Sequence, residues 1–220
     1  FEAKHPMTLN DEAEAVLTFI ADYQGTAHLV GHSYGGAIAM ILAMAHPDRF
    51  STLTLIEPAA YWLLAQVGDD ALAREVETAN LRFMSLVDAG HHDAAFQGYF
   101  AFYNGAKESW SGLSPSIKQR VLSVAKQVAA GLGAVRAFKS PIIDLTKLRV
   151  PSLVVRGSQT DAVHARLTEI VADAIPKAAL KMIEGAGHMS PLTHPSDLSD
   201  IIRSHALATS IAGENCRALR

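Results

Sequence analysis

The segment from Gly31 to Gly36, Gly-His-Ser-Tyr-Gly-Gly, constrains the fold more than any other part of the sequence. The apolar run 27–30 before it is typical of a buried strand, and the apolar run 37–45 after it is typical of a buried helix. A G-x-S-x-G motif between a strand and a helix holds its serine at the tip of a tight, strained turn. We therefore predict that Ser33 is a nucleophile at the carboxyl edge of a sheet, and that Gly31, Gly35 and Gly36 leave room for the close approach.

Ser33 is expected to lie by the N-terminus of the predicted helix that follows, whose free N–H groups favour negative charge. The Tyr34 backbone N–H is therefore a candidate oxyanion donor. The alternative is a glycine-rich turn in which Ser33 only caps the helix. That alternative leaves Gly31 and Gly36 without a reason.

Short apolar runs alternate with helical patterns along the rest of the chain. Helices are predicted over 9–24, 37–45, 162–174 and 195–209, and buried strands over 27–30, 53–56, 152–155 and 180–183. The strands lack polar alternation, which is typical of parallel strands covered by helices on both faces. The predicted class is α/β, with a mostly parallel sheet flanked by helices.

A long helical insertion separates the second and third predicted strands. Residues 60–140 have a helical pattern broken at several glycines, Gly131 and Gly133 among them. The predicted core therefore comprises 1–59 and 141–220, and 60–140 is predicted to be a cap or lid.

His188 is the predicted general base. It lies in Gly185-Ala186-Gly187-His188, directly after the fourth predicted strand, where a loop can reach across the sheet edge to Ser33. A neutral imidazole there takes the serine proton and later returns it to the leaving group. His32 adjoins the nucleophile, and its side chain is expected to point away from the site.

Two carboxylates compete for the role of the acid that orients the imidazole. Glu57 ends the second strand, and Asp161 follows the third. Glu57 follows a run of apolar residues, where an unpaired charge would be costly. Asp161 has a good alternative role as the N-cap of helix 162–174. We favour Glu57 and keep Asp161 as the second candidate, with Asp144 less favoured than either.

The sequence resembles the α/β-hydrolase fold superfamily over essentially its whole length. Gly31 to Gly36 is similar to the nucleophile elbow, and Pro151 to Gly157 resembles the strand that usually precedes the acid. Gly187-His188, followed by His194-Pro195, resembles the terminal histidine loop. The resemblance implies a serine-nucleophile enzyme with a Ser–His–acid triad and a helical cap over the active site.

The sequence departs from the family pattern in two ways. The family usually spaces glycine and aspartate as G-x-x-D, whereas one more residue separates Gly157 from Asp161. Some members place the acid after the preceding strand instead, which is where Glu57 falls. The family's first strands and its His-Gly oxyanion loop would precede this segment, which starts at Phe1. We therefore expect the N-terminal part to be missing, with half of the oxyanion hole absent and one sheet edge unpaired.

The insertion is rich in aromatic side chains. Ten of the chain's fifteen aromatic residues fall within 61–140. Most are expected to form the core of the cap itself. Tyr61 and Trp62, just after Glu57, are the best candidates for contact with an apolar substrate.

These residues predict a serine hydrolase that cleaves a carboxylic ester or related acyl bond of a small, fairly apolar substrate through an acyl-enzyme. One alternative is a carbon–carbon bond hydrolase of a diketone-type ring-cleavage product. The other is a hydrolase-fold protein that binds a ligand without catalysis.

Composition excludes several other classes of function. The net charge is -3, and no run of Lys and Arg occurs, so neither nucleic acid nor an anionic membrane is a predicted partner. No apolar stretch reaches the roughly 20 residues of a membrane span. No organic cofactor or metal is predicted, since His91-His92-Asp93 lacks an evident fourth ligand. The single cysteine, Cys216, cannot form an internal disulfide, and a cytoplasmic location is predicted.

Overall fold

The computed structural model describes residues 7–104 and 110–218. Its centre is a four-stranded parallel sheet in the order β1-β2-β3-β4. The strands are β1 Ala27–His32, β2 Phe50–Ile56, β3 Ser152–Gly157 and β4 Ala179–Ile183. The predicted class, a parallel sheet flanked by helices, is confirmed.

The α-helices of the described residues fall into two groups. Those next to the sheet in sequence are α1 Leu9–Phe19, α2 Tyr34–Ala45, α7 Ala162–Ala174, α8 Ser190–Thr193 and α9 Pro195–Ala218. Those in the insertion are α3 Asp70–Asp88, α4 His92–Asn104, α5 Pro115–Ser123 and α6 Ala125–Ala137. Short 3-10 turns cover Pro47–Arg49, Tyr61–Leu63, Ala65–Val67, Trp110–Gly112 and Ile142–Lys147.

Several boundaries differ from the sequence-based predictions. Helix α1 begins at Leu9 as predicted, where Thr8 and Asp11 form a capping box, but it ends at Phe19 and not at residue 24. Helix α6 runs through Gly131 and Gly133, which were expected to interrupt it. Glycine lowers helix stability only modestly, so packing of α6 against its neighbours overrides that preference.

The two inner strands are buried, and the two outer ones are not. Six of the seven residues of β2 are buried, whereas β1 alternates and the first four residues of β4 are exposed. The expectation that every strand is covered on both faces is therefore wrong for β1 and β4. Both lie at an edge of the described sheet, where one side of the strand has no neighbour.

One large apolar core joins α2, the inner strands and α7. Its fully buried members include Met40, Leu53, Leu55, Val154 and Leu167. The insertion has a smaller apolar cluster of its own, in which Phe83, Phe96 and Trp110 pack with ring centroids 5.0–5.4 Å apart. Because the strands are parallel, the residues that follow β1, β2, β3 and β4 all emerge at one edge of the sheet.

Candidate active site

Ser33 lies in the turn between β1 and α2. Its backbone is in the left-handed region, at φ 52 and ψ -119. A side chain there is strained, so the surrounding structure must hold it in place. The Ser33 N–H donates to the Ile56 carbonyl at 2.9 Å, and the Ser33 carbonyl accepts from the Ala59 N–H at 3.0 Å. Backbone bonds to the segment around the end of β2 thereby fix the turn.

Glycines permit this turn at two of the three predicted positions. A Cβ on Gly31 would lie 2.4 Å from the Gly35 carbonyl oxygen, and one on Gly36 would lie 3.0 Å from Pro58 Cα. A Cβ on Gly35 would meet nothing within 4 Å among the described atoms, so the predicted clearance role of that residue is wrong. What requires glycine is the approach of strand β1 to the Gly35 backbone, and Gly31 meets that requirement.

His188 lies on the loop after β4, between Ser33 and Glu57. Its Nε2 is 3.1 Å from the Ser33 Oγ, and its Nδ1 is 2.7 Å from the Glu57 Oε2. Because Glu57 accepts from Nδ1–H, Nε2 is left unprotonated in the neutral ring and can accept the serine proton. The structure therefore brings the predicted nucleophile and base together with Glu57.

The Glu57 carboxylate is completely buried, at 0% exposure. Oε1 accepts from the Gly157 N–H at 2.8 Å, and Oε2 accepts from the Thr160 hydroxyl at 2.6 Å as well as from His188. Burial works to raise the pKa of Glu57, but the hydrogen bonds from His188, Gly157 and Thr160 outweigh it and hold the pKa below its usual value. Glu57 is therefore an ionised acceptor that fixes the His188 ring.

The electrostatics of His188 favour the neutral ring. Burial lowers the pKa of His188, and the neighbouring His164 imidazole lowers it further, against the opposing effect of Glu57. A base must be unprotonated to accept the serine proton. This environment keeps the ring in the form that can act.

A family model with the description "Alpha/beta hydrolase family" matches residues 3–201 of the sequence. The chain belongs to the alpha/beta hydrolase family.

Relatives of this chain differ in their activities. It is 24% identical over 200 residues to Lipase 3 of Moraxella sp. (strain TA144), covering 84% of this chain and 59% of the relative. It is 26% identical over 201 residues to 2-hydroxymuconate semialdehyde hydrolase of Pseudomonas sp. (strain CF600), covering 87% and 65%. The chain thus spans about three-fifths to two-thirds of the length of these curated relatives.

Solved structures share the fold at low sequence identity. MenH from S. aureus superposes with a TM-score of 0.73 at 16% identity, covering 96% of this chain and 79% of that one. The enol-lactonase from Burkholderia xenovorans LB400 superposes with a TM-score of 0.64 at 19% identity, covering 93% of this chain and 75% of that one.

Among the described helices, none combines the length and apolar character that a membrane crossing requires.

Asp161, the second candidate acid, is engaged elsewhere. Its Oδ1 accepts from the N–H groups of Val163 and His164 at 3.0 Å each, so it caps α7. Its Oδ2 lies 2.7 Å from the His164 Nδ1. Within the described residues, the carboxylate that contacts His188 directly is that of Glu57.

Two histidines beside His188 were not predicted to belong to the site. His32 was expected to point away, but its Nε2 donates to the His188 carbonyl at 2.8 Å, so that expectation is wrong. Burial lowers the pKa of His32 from 6.5 to about 4, so this ring is neutral as well. His164 stacks on His188 with ring centroids 3.8 Å apart. The sequence signal available for His164 was a histidine three residues after an N-cap. The direction in which its side chain points, however, depends on how α7 packs.

Tyr34 presents only its backbone to the reacting centre. As the first residue of α2, it has an N–H without an intrahelical partner. Its phenol donates to Glu12 Oε1 on α1 at 2.5 Å, and its ring packs against Gly131 of α6. The side chain therefore ties α1 and the insertion to the turn that carries Ser33.

The two predicted substrate contacts are both buried in the 3-10 turn after β2. The Tyr61 hydroxyl lies 3.4 Å from the His164 Nε2, and Trp62 packs edge-on against Phe138 at 4.8 Å. Both also line a cavity of about 750 Å³ between this turn, α3 and α6. Ser33 and His188 are not among the residues that line it.

One cluster in the described residues brings three possible metal-ligand atoms within 4.8 Å: Glu57, His164 and His188. Each imidazole already gives its Nδ1 to a carboxylate, and the two rings stack at 22°. Nearly parallel rings direct their nitrogen lone pairs side by side, which does not fit the convergent geometry of a metal site. In the segment His91-His92-Asp93, for which no metal was predicted, Asp93 accepts from the Trp110 indole N–H at 2.9 Å.

Proposed function

We propose that this hydrolase cleaves a carboxylic ester or related acyl bond of a small, fairly apolar substrate through an acyl-enzyme on Ser33. The observation that carries the proposal is the continuous line of hydrogen bonds from Ser33 through His188 to the buried Glu57 carboxylate. The lipases among its relatives support the same reaction class.

In the proposed reaction, Ser33 Oγ attacks the acyl carbon while His188 Nε2 takes its proton. The imidazolium that forms is stabilised by Glu57, which keeps its negative charge. The Tyr34 N–H, at the positive end of α2, donates to the developing oxyanion. His188 then protonates the leaving alcohol. It next takes a proton from a water molecule that attacks the acyl carbon, and it returns that proton to Ser33 Oγ as the acid leaves.

We further propose that residues 60–140 act as a cap over a core of 1–59 and 141–220. The side chain that supports this is Tyr103 on α4, whose ring lies 6.1 Å from His188 and 5.0 Å from His164. Helix α4 therefore covers the base from the side of the insertion. Tyr61 and Trp62, at the start of the insertion, would shape the apolar wall of the substrate pocket.

The test is hydrolysis of short p-nitrophenyl esters, together with labelling by a fluorophosphonate probe that modifies an activated serine. Ser33→Ala should abolish labelling and lower kcat by about 10⁶-fold. Ser204→Ala, an exposed serine on α9, is the matched control and should leave both unchanged. Labelling that survives Ser33→Ala would overturn the proposal.

A second candidate function is hydrolysis of a carbon–carbon bond in a diketone-type ring-cleavage product. It is favoured by the similarity to 2-hydroxymuconate semialdehyde hydrolase. The two candidates separate in one comparison, because an esterase turns over p-nitrophenyl butyrate and leaves a vinylogous diketone intact. The opposite pattern, with Ser33 still labelled by the probe, would select the carbon–carbon hydrolase.

A further inference from the structure

A second imidazole lies against the proposed base. The His164 ring is completely buried and stacks on His188 with centroids 3.8 Å apart and planes at 22°. His164 lies in the first turn of α7, so the helix that follows β3 delivers it to this position. The proposed triad does not use it.

The partners of His164 repeat the pattern of the triad. Its Nδ1 lies 2.7 Å from the Asp161 Oδ2, and its Nε2 lies 3.4 Å from the Tyr61 hydroxyl. Burial raises the pKa of Tyr61 well above its usual value, so the phenol keeps its proton beside this imidazole nitrogen. A hydroxyl–imidazole–carboxylate line, Tyr61–His164–Asp161, therefore runs beside Ser33–His188–Glu57.

Two imidazole rings stacked at this distance influence each other's protonation. A proton on one ring disfavours a proton on the other, because like charges in a buried site repel strongly. Several other titratable or polar groups face His188, from each element packed against it. They are His32 of β1 and Ser33 of the turn, Glu57 after β2, Asp161 before α7, and Tyr103 of α4. The ring centroid of His164 lies 3.8 Å from that of His188, nearer than the ring centroid of His32, which lies 4.9 Å away.

We propose that His164, held by Asp161, is a positioning residue for His188: its ring fixes the plane of the base, and its ability to carry charge keeps the base neutral. Asp161 thereby acts on the reaction through His164 and not as the triad acid. This inference rests on the proposed role of His188 as the base.

Two substitutions separate stacking from charge. His164→Phe keeps a buried ring against His188 but can carry no proton. His164→Asn keeps a donor near Asp161 but removes the ring and its charge. Since the His164 imidazole lowers the pKa of His188, both variants should raise that pKa. The measurement is the titration of the His188 ring by NMR in the whole protein labelled with ¹³C-histidine, which requires no substrate.

Kinetics supply the second readout. His164→Asn should lower kcat by about 10- to 100-fold with little change in KM, because loss of the stacked ring misplaces the base. His164→Phe should retain most of kcat, while the acid limb of its kcat/KM profile moves to higher pH. A purely structural role would lower the yield of folded protein without shifting the NMR titration of His188 or the acid limb of the kcat/KM profile.

His91→Phe, the same change at an exposed histidine, is the matched control and should leave the His188 titration as it is in the parent. Either folded variant suffices for the test. An unchanged or lowered His188 pKa in a folded variant overturns the inference. Failure of the proposed function gives a different result, because the NMR titration still moves in a protein whose Ser33 neither reacts with the probe nor turns over esters.

Discussion

Glu57→Gln tests the assignment of the acid while preserving the shape of the side chain. The glutamine Oε1 can still accept from the Gly157 N–H, which the carboxylate meets at 2.8 Å. Its amide nitrogen then replaces the oxygen that faces His188 and Thr160. The Thr160 hydroxyl can rotate to accept, but His188 Nδ1 must also become an acceptor, and the ring changes tautomer.

The size of the effect follows from that change. With its proton on Nε2, His188 can no longer take the proton of Ser33 Oγ, 3.1 Å away. Loss of the correct tautomer costs about 10⁴-fold in kcat in serine hydrolases, or about 5.4 kcal/mol of transition-state stabilisation. KM should change little, since Glu57 is completely buried behind His188 and does not face the substrate.

The assay compares kcat for p-nitrophenyl ester hydrolysis in the parent and in Glu57→Gln, with circular dichroism as the check on folding. Glu169→Gln, a partly exposed carboxylate paired with Arg156, is the matched control and should lose less than about twofold, in line with the small worth of surface ion pairs. Asp161→Asn should lose less than about 100-fold. Retention of a tenth of the activity in Glu57→Gln, beside a 10⁴-fold loss in Asp161→Asn, would refute the assignment.

Three further predictions concern stability. Because the pKa of His32 is lowered to about 4 in the folded state, its contribution to the free energy of unfolding is complete above pH 6.5 and is lost as the pH falls from 6.5 to about 4. Urea unfolding at these two pH values should therefore show about 3 kcal/mol less loss of stability in His32→Gln than in the parent. Gly31→Ala places a Cβ 2.4 Å from the Gly35 carbonyl and should cost about 3 kcal/mol or more in unfolding free energy, whereas Gly98→Ala, whose Cβ would meet nothing within 4 Å, should not destabilise. Tyr34→Phe removes a 2.5 Å hydrogen bond to a carboxylate and should cost about 1.5–3 kcal/mol, read from the midpoint of thermal unfolding.

The sequence predicted the parts of the site that depend on chain order. Ser33, Glu57 and His188 each follow a strand, and parallel strands bring those positions to one edge. Local chemistry also identified the Asp161 N-cap, which needs only the residues around it. These features could be predicted because they depend on neighbours in sequence or on the direction of a strand.

The histidines around the base could not be predicted in this way. Alternation along β1 would turn His32 away from Ser33, but Ser33 has φ 52 and is outside strand geometry, so alternation does not apply across the turn. His164 faces His188 because α7 packs with that side toward the loop after β4. Such a direction is set by contacts between elements far apart in sequence.

The family spacing also explains why Glu57 can be the acid. G-x-x-D counted from Gly157 places the usual aspartate at position 160, and this chain has Thr160 there. The Thr160 hydroxyl donates to Glu57 Oε2 at 2.6 Å, and the Gly157 N–H donates to Oε1 at 2.8 Å. An aspartate at this position would put two buried carboxylates side by side and raise the pKa of one of them. A hydroxyl instead supplies a donor where the carboxylate needs one. The extra residue then moves Asp161 onto α7, where it caps the helix and holds His164.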